Sequence, residues 1–387
     1  MERVRIPDSE YLERVKKAAK LADDAGLDVF LVNSNEADFA NARYFSGFWP
    51  LFEMAGVAIS PAGEAALLVG PESIEFGRDV SKLDRVFQLM EYREPADPSY
   101  PEITPNTFRE VFKAIGVTGD RIRIGIGGYI ITTTPIIEGL KAAYPDAEII
   151  NSDHIMVALR SVKSENEIAC LKEAFRITAL ATEEVIRNLK PGMTELQSVG
   201  IAQRVIYENG AEYEGLPMYV FSEKSTRHAI SRSSYRTIGA GDIVQLNLSA
   251  RIDGYSPSIG MPISMGKLEG KRREVVEFGL EAHHWTKEQL KAGVEASTIA
   301  SAYKSKFDDK GFGDNYLYGP CHGLGMIEVE APWMETDSHY ELKPNMIFQV
   351  DTFVSTPTFG IRWENGAVVE EDGSSFLSPK LETIHEL

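Results

Sequence analysis

The order of secondary-structure patterns along this 387-residue chain changes near residue 155, and this change constrains the fold more than any other feature. Before it, short apolar runs typical of strands alternate with helical segments, the first expected over residues 9–25. After it, a long helical stretch leads into strands rich in β-branched residues. The pattern predicts a small α/β domain over residues 1–155 and a larger α+β domain over residues 156–387.

Composition excludes several classes of partner. The formal charge of -18 and the lack of a basic run predict that the chain does not bind nucleic acid, because phosphates would be repelled. No segment approaches about 18 uninterrupted apolar residues, so no membrane contact is expected. Cys170 and Cys321 are too few for a disulfide framework. We therefore expect a cytoplasmic protein with a small-molecule substrate.

Polar residues interrupt apolar segments of the second domain. They are Asn247 in QLNLS, Ser258 in SPSIG, His322 in CHGLG, Asp351 in QVDTF and Glu364 in IRWEN. A carboxylate within an apolar strand needs a partner or a ligand to offset its desolvation. Close approach to His322 is easy because glycine follows it directly. These five positions are the candidate site.

Short phrases around these positions occur in a familiar order and spacing. They are LRSVKSENEI, KPGMTE, the Gly241-Asp242 pair, the HGLG turn and the strands that carry Asp351 and Glu364. In this order the chain resembles the pita-bread hydrolases, which include prolidase, aminopeptidase P, methionine aminopeptidase and creatinase. The N-terminal phrase NARYFSGF also resembles that family. The resemblance implies a pita-bread catalytic domain preceded by a smaller α/β creatinase-type domain. It also implies a homodimer in which the N-terminal domain lies near the partner's active site.

The five positions differ from those of the peptidases in this family, which read Asp, Asp, His, Glu, Glu and hold two divalent ions. Here the first two are Asn247 and Ser258. His322, Asp351 and Glu364 would leave about two positive charges uncompensated in a low-dielectric pocket. We therefore expect no bound metal and no cofactor, with Asn247 and Ser258 binding a small polar substrate directly.

The resemblance to creatinase, which also carries asparagine at the first position, suggests a reaction. We expect a metal-independent, creatinase-like hydrolase that cleaves a C–N bond of a small guanidino, amidine or amide compound. His228 matches the proton-transfer histidine of creatinase, and an imidazole with a pKa of about 6.5 suits that role. Asp351 and Glu364 would hold the cationic group, while His322 and Asn247 would orient the electrophilic carbon.

Further substrate contacts are expected outside the five positions. Arg362 shares a strand face with Glu364, because the two are two residues apart. Phe48, Trp49 and Phe52 lie where the family's N-terminal domain reaches the partner's active site, and they would form a lid that stacks on the substrate. Core or dimer packing is the alternative for these aromatic residues.

Two other functions stay open. One is an Xaa-Pro metallopeptidase with a reduced site, in which His322, Asp351 and Glu364 hold a single ion. The other is a binding protein that has lost catalysis. Retention of His228, His322, Asp351 and Glu364 favours an enzyme, because buried ionisable groups are costly to keep without a function.

Overall fold

A computed structural model describes residues 3–378 and 381–387. Internal contacts divide them into an N-terminal unit, Ile6–Arg160, and a C-terminal unit that contains residues 3–5 and Ser161–Leu387. The helices of the N-terminal unit are α1 (Asp8–Asp24), α2 (Ala40–Ser46), α3 (Ile74–Val80), α4 (Phe108–Ala114), α5 (Thr134–Ala143) and α6 (Asp153–Arg160). Its strands are β1 (Val29–Ser34), β2 (Ala55–Ile59), β3 (Ala65–Val69), β4 (Val86–Gln88), β5 (Arg123–Gly127) and β6 (Glu148–Asn151).

The N-terminal unit is built on one six-stranded mixed sheet with the order β4-β3-β2-β1-β5-β6. Strands β1, β5 and β6 are parallel, whereas β1, β2 and β3 form an antiparallel meander. Every residue of β1, β2 and β3 is buried, which is the expected burial of strands covered on both faces. The predicted α/β character of this unit is confirmed.

The two units meet in sequence at residues 160–161, whereas the sequence analysis placed the change after residue 155. Helix α6 belongs to the N-terminal unit because its apolar face packs there. Ile155 and Met156 are buried, and a Cβ on Gly127 of β5 would lie 3.2 Å from the Met156 side chain.

The C-terminal unit carries longer elements. Its helices are α7 (Glu165–Asn188), α8 (Glu195–Glu208), α9 (Gly270–Gln289) and α10 (Ala296–Asp309). Its first strands are β7 (Tyr213–Glu214), β8 (Tyr219–Ser222), β9 (Ile243–Leu248), β10 (Ala250–Arg251) and β11 (Ile259–Ser264). The others are β12 (Cys321–Gly323), β13 (Glu330–Met334), β14 (Ile347–Ser355), β15 (Gly360–Glu370), β16 (Gly373–Phe376) and β17 (His385–Glu386).

A nine-stranded sheet dominates the described part of this unit. Its main path is β13-β12-β14-β15-β11-β9-β8, with β16 beside β15 and β17 beside β11. All neighbours are antiparallel except β11 and β17. This sheet, together with the four helices of the unit, confirms the predicted α+β class.

Capping residues explain where α7 and α8 begin. Ser164 and Thr194 each form a capping box with the residue three positions later, so α7 and α8 each begin directly after a capping residue. Helix α7 ends at Asn188, shortly before Pro191 and Gly192, which do not favour helix. Among the described helices, none is both long enough and apolar enough to cross a lipid bilayer.

Helix α9 contains a buried histidine that makes the fold sensitive to acid. His283 is fully buried and stacks on Phe376 at 5.1 Å, and burial lowers its pKa from 6.5 to about 3. Below pH 6.5, His283 is therefore protonated in the unfolded chain but stays neutral in the folded chain. The free energy of unfolding consequently falls as the pH drops below 6.5. Between pH 7 and pH 5 we expect His283 to account for a loss of about 2 kcal/mol in the free energy of unfolding.

Chemical denaturation of wild type and His283→Leu at the two pH values measures this loss. The variant should show the smaller pH dependence, and His154→Leu, at an exposed histidine, should behave as wild type. Equal pH dependence of wild type and His283→Leu would contradict the assignment.

Candidate functional site

One row of cross-strand neighbours runs through the large sheet. In spatial order the row is Tyr219 on β8, Asn247 on β9, Gly260 on β11, Glu364 on β15 and Asp351 on β14. A Cβ on Gly260 would lie 2.8 Å from the Cβ of Glu364 and 2.9 Å from Nδ2 of Asn247. The missing side chain at Gly260 therefore lets Asn247 reach across β11 to Glu364.

A cavity of about 650 Å³ opens beside this row in the C-terminal unit. Its ionisable lining residues include His322, Glu328, Asp351, Arg362 and Glu364. Its apolar lining residues include Leu216, Pro217, Ile230, Leu317, Val329 and Trp333. Three of the five candidate positions, His322, Asp351 and Glu364, thus line one cavity, and their side chains are nearly completely buried.

Glu364 is held by two neutral donors. Asn247 Nδ2 and Ser258 Oγ both donate to its Oε2, the latter at 2.9 Å. Burial raises the pKa of Glu364 well above its usual range, and the nearby carboxylates Asp351 and Glu328 raise it further. Asn247 and Ser258 therefore contact a protein carboxylate directly.

Arg362 lies between two acids. Its Nε is 3.3 Å from Asp351 Oδ1 and 3.8 Å from Glu364 Oε1. The Tyr318 hydroxyl accepts from Arg362 Nη2 at 2.8 Å and donates to Asp351 Oδ2 at 2.6 Å. Arg362 Nη1 donates to the Tyr219 hydroxyl. The guanidinium, predicted to bind substrate, is thus engaged by groups of the protein.

His322 presents one ring nitrogen to a third carboxylate. Its Nδ1 lies 3.0 Å from the carbonyl oxygen of Gly323, which can only accept, so in the neutral ring Nδ1 carries the proton and Nε2 has the lone pair that can bind a metal. Nε2 lies 4.0 Å from Glu328 Oε1, which has no hydrogen-bond partner among the described residues. Burial raises the pKa of Glu328. One ligand atom from each of His322, Glu328 and Glu364 lies within 4.8 Å of the others.

Glu328 was not among the site residues predicted from the sequence. This residue lies in the irregular turn between β12 and β13, where no strand periodicity indicates its direction. The only signal was an acid inside the apolar phrase MIEVEAP. Asp351, which with His322 and Glu364 would hold the single ion of the alternative function, contacts Arg362 and Tyr318.

The remaining predicted site residues lie apart from this cluster. His228 is exposed and does not line the cavity, although the segment that follows it does. The other three residues belong to the N-terminal unit. Phe48 is buried and packs on Phe76 at 5.3 Å, Trp49 is half-buried, and Phe52 is exposed. Their action as a lid, and that of His228 in proton transfer, remain predictions.

The chain is similar to characterised peptidases over nearly its full length. It is 25% identical over 368 residues to the Xaa-Pro dipeptidase of Pyrococcus furiosus, which covers 95% of this chain and 97% of that protein. The fold matches the X-Pro aminopeptidase of Thermotoga maritima with a TM-score of 0.82 at 22% identity, over 96% of this chain and 99% of that one. It matches the prolidase of Pyrococcus horikoshii with a TM-score of 0.80 at 24% identity, over 95% and 98% of the two chains.

These relatives correct the predicted function. The expectation of a metal-independent, creatinase-like hydrolase is wrong, because the curated relatives include Xaa-Pro dipeptidases. The charge count behind that expectation omitted Glu328, which adds a third carboxylate beside His322 and Glu364. Asn247 and Ser258, assigned to substrate, are bonded to Glu364.

Family models cover both units. The creatinase/prolidase N-terminal domain matches residues 14–162, and the metallopeptidase family M24 matches residues 169–371, more than half of the 387 residues. The predicted pita-bread catalytic domain with a creatinase-type N-terminal domain is thereby confirmed, as is the coarser prediction of a hydrolase acting on carbon–nitrogen bonds. The chain belongs to the metallopeptidase family M24.

Proposed function

We propose that this chain is a peptidase that hydrolyses the bond between an N-terminal residue and a following proline in short peptides, with one divalent metal ion. The Xaa-Pro dipeptidase of Pyrococcus furiosus, similar over nearly the whole chain, supports the substrate class. A cavity of about 650 Å³ supports a substrate of a few residues. The homodimer and the cytoplasmic location expected from sequence remain predictions.

The balance of charge in the cavity carries this proposal. When all three are ionised, the buried acids Glu328, Asp351 and Glu364 contribute three negative charges. The buried Arg362 contributes one positive charge, and the other cationic lining residue, Arg232, is exposed to solvent. Two negative charges remain, which one divalent cation neutralises. A second dication would be uncompensated in a low-dielectric site, and it would lie close to the Arg362 guanidinium.

The donor set suits a single ion. His322 Nε2 with one oxygen each from Glu328 and Glu364 would hold it, since these atoms lie within 4.8 Å of one another and imidazole with carboxylates is a common ligand set. Oε1 of Glu328 is buried without a hydrogen-bond partner, as expected of an atom whose partner would be a metal ion. When bound, the ion would polarise the scissile carbonyl and lower the pKa of a water molecule.

The other catalytic tasks fall to side chains of the cavity and its surroundings. We assign proton transfer to the carboxylate oxygen of Glu328 that the ion would leave free, because Glu328 lines the cavity and offers the ion one oxygen. It would accept the proton of the attacking water and return it to the proline nitrogen as the C–N bond breaks. Asn247 and Ser258 hold Glu364 in place through its Oε2. Arg362 neutralises Asp351, and so keeps its charge from repelling the substrate carbonyl oxygen.

Metal analysis combined with peptide assays tests the function. The protein is purified with manganese, cobalt or zinc supplied, and bound metal is measured by elemental analysis. We expect one ion per chain, a rise in Tm on metal addition, and cleavage of Leu-Pro but not Leu-Ala. Chelation should remove turnover, and the same metal should restore it.

Two results would overturn this proposal. Two fully occupied ions per chain would contradict the charge balance, and turnover that survives complete chelation would contradict a metallopeptidase. Absence of cleavage across an Xaa-Pro panel, in protein that carries one ion, would reject the substrate class while leaving the metal site standing.

A further inference from the structure

One buried carboxylate outside the cavity holds both ends of a loop that forms the cavity wall. Glu195, the first residue of α8, is fully buried. Its Oε1 accepts from the backbone N and Oγ of Ser222, both at 2.8 Å, and from Ser225 Oγ at 2.9 Å. Its Oε2 accepts from the backbone N of Ser234 at 2.9 Å and from Ser234 Oγ at 2.8 Å. The loop from Ser222 to Ser234, here called the serine loop, is therefore closed at its base by Glu195.

The middle of the serine loop lines the cavity. Ala229, Ile230, Ser231 and Arg232 are all wall residues. The first half of the loop is held against β15, where Gly360 N donates to Thr226 Oγ1 at 2.8 Å. In the middle, Arg362 Nη2 donates to the carbonyl oxygen of Ala229 at 3.0 Å. The wall is thus fixed at its base by Glu195 and at its middle by a residue of the cavity floor.

Ile230 in this wall is unusually exposed for an apolar side chain at a cavity, with 94% of its surface accessible. Leu317, Val329 and Trp333 also line the cavity and are 56%, 43% and 41% exposed. These exposed apolar side chains cluster at a cavity whose base is ionisable. Such a cluster indicates a surface that contacts an apolar group of a ligand. If the peptide bond of a substrate lies beside the ionisable residues, its apolar side chain can contact this surface.

We propose that Glu195 is a positioning residue that sets the affinity for peptides with an apolar N-terminal residue by holding Ile230 at the cavity. The inference rests on the proposed peptidase function. Glu195 does not touch the cavity, so its effect reaches the substrate only through the serine loop. Glycyl substrates have no side chain that could contact Ile230, so their affinity should depend less on Glu195.

Kinetics of Leu-Pro and Gly-Pro cleavage by Glu195→Gln and Ser234→Ala test the proposal. Gln keeps one acceptor oxygen and therefore at most three of the five hydrogen bonds, whereas Ser234→Ala removes only one hydroxyl, so part of the anchor remains in both variants. We expect KM for Leu-Pro to rise about tenfold, the effect of losing one charge-assisted hydrogen bond, with little change in kcat. KM for Gly-Pro should change less than KM for Leu-Pro. Glu208→Gln, an exposed glutamate at the end of α8, is the matched control.

Hydrogen exchange measured by mass spectrometry provides a readout that needs no turnover. Exchange should rise within residues 223–233 of both variants and stay unchanged elsewhere. Faster loop exchange with unchanged KM, or equal changes for both dipeptides, would overturn the proposal and leave Glu195 a structural residue. If the wild type cleaves no peptide, the proposed peptidase function is wrong. Unchanged hydrogen exchange of the serine loop in the variants would independently reject the role of Glu195 in holding that loop.

Discussion

Replacing Glu328 by glutamine is expected to lower kcat/KM for Xaa-Pro dipeptides by about a thousandfold, because the change removes a proton acceptor and a metal ligand together. Glutamine preserves the size of the side chain and can still fill the turn between β12 and β13. It also removes one of three carboxylates from a buried cluster, which relieves repulsion in the metal-free protein. We therefore expect a large loss of activity with no decrease in the Tm of the metal-free chain.

Steady-state kinetics, elemental analysis and thermal unfolding of the same preparation measure these effects. Glu341→Gln is the matched control, because it makes the same substitution at an exposed position that does not line the cavity. A Glu328→Gln variant that keeps more than about a tenth of the wild-type kcat/KM would remove Glu328 from proton transfer, because such groups typically contribute a hundredfold or more. A full complement of metal in that variant would remove it from the ligand set.

Replacing Lys163 by methionine is expected to reduce the free energy of unfolding of the C-terminal unit by about 3–5 kcal/mol. Lys163 Nζ and Glu330 Oε1 form an ion pair at 3.0 Å, and their side chains are only 1% and 7% exposed. Methionine would leave the Glu330 carboxylate buried without this cation, which costs more than the net value of the pair. Gly325 provides the space for the pair, since a Cβ there would lie 2.2 Å from Glu330 Oε1.

Urea denaturation followed by tryptophan fluorescence measures this loss. Three of the four tryptophans, Trp285, Trp333 and Trp363, lie in the C-terminal unit, so the signal reports mainly on that unit. The double variant with Glu330→Gln should recover part of the stability, because it removes the buried carboxylate charge that Lys163 balances. A Lys163→Met protein within about 1 kcal/mol of wild type would show that Glu330 does not depend on this cation.

The positions of Asp351 and Glu364 were predictable because each interrupts a long apolar strand. The two strands pair in a register that places Asp351 directly opposite Glu364, and Arg362 lies two residues from Glu364 on the same face. Their cross-strand distance could not be predicted, because it depends on the pairing register of segments that sequence periodicity leaves free to slide. The ion pair of Arg362 with both acids is a consequence of that register.

The proposed metal ligand Glu328 and the proposed anchor Glu195 belong to a different class of residue. Glu328 lies in a turn, where side-chain direction follows from irregular backbone angles and not from a repeating period. Glu195 looks from sequence like an ordinary acid in the first turn of a helix, a position where acids favour the helix dipole. Its five hydrogen bonds come from residues 27 to 39 positions later in the chain.

The amino-acid sequence alone determined which segments are helices and strands, where α7 and α8 begin, and which strands carry buried polar side chains. Those features follow from local periodicity and from capping residues a few positions apart. The tertiary structure alone decided how the charges of the cavity balance, which residues can share one ion, and what holds the serine loop. Each of these depends on contacts between residues far apart in the chain, whose distances are set by strand register and by turns that have no sequence period.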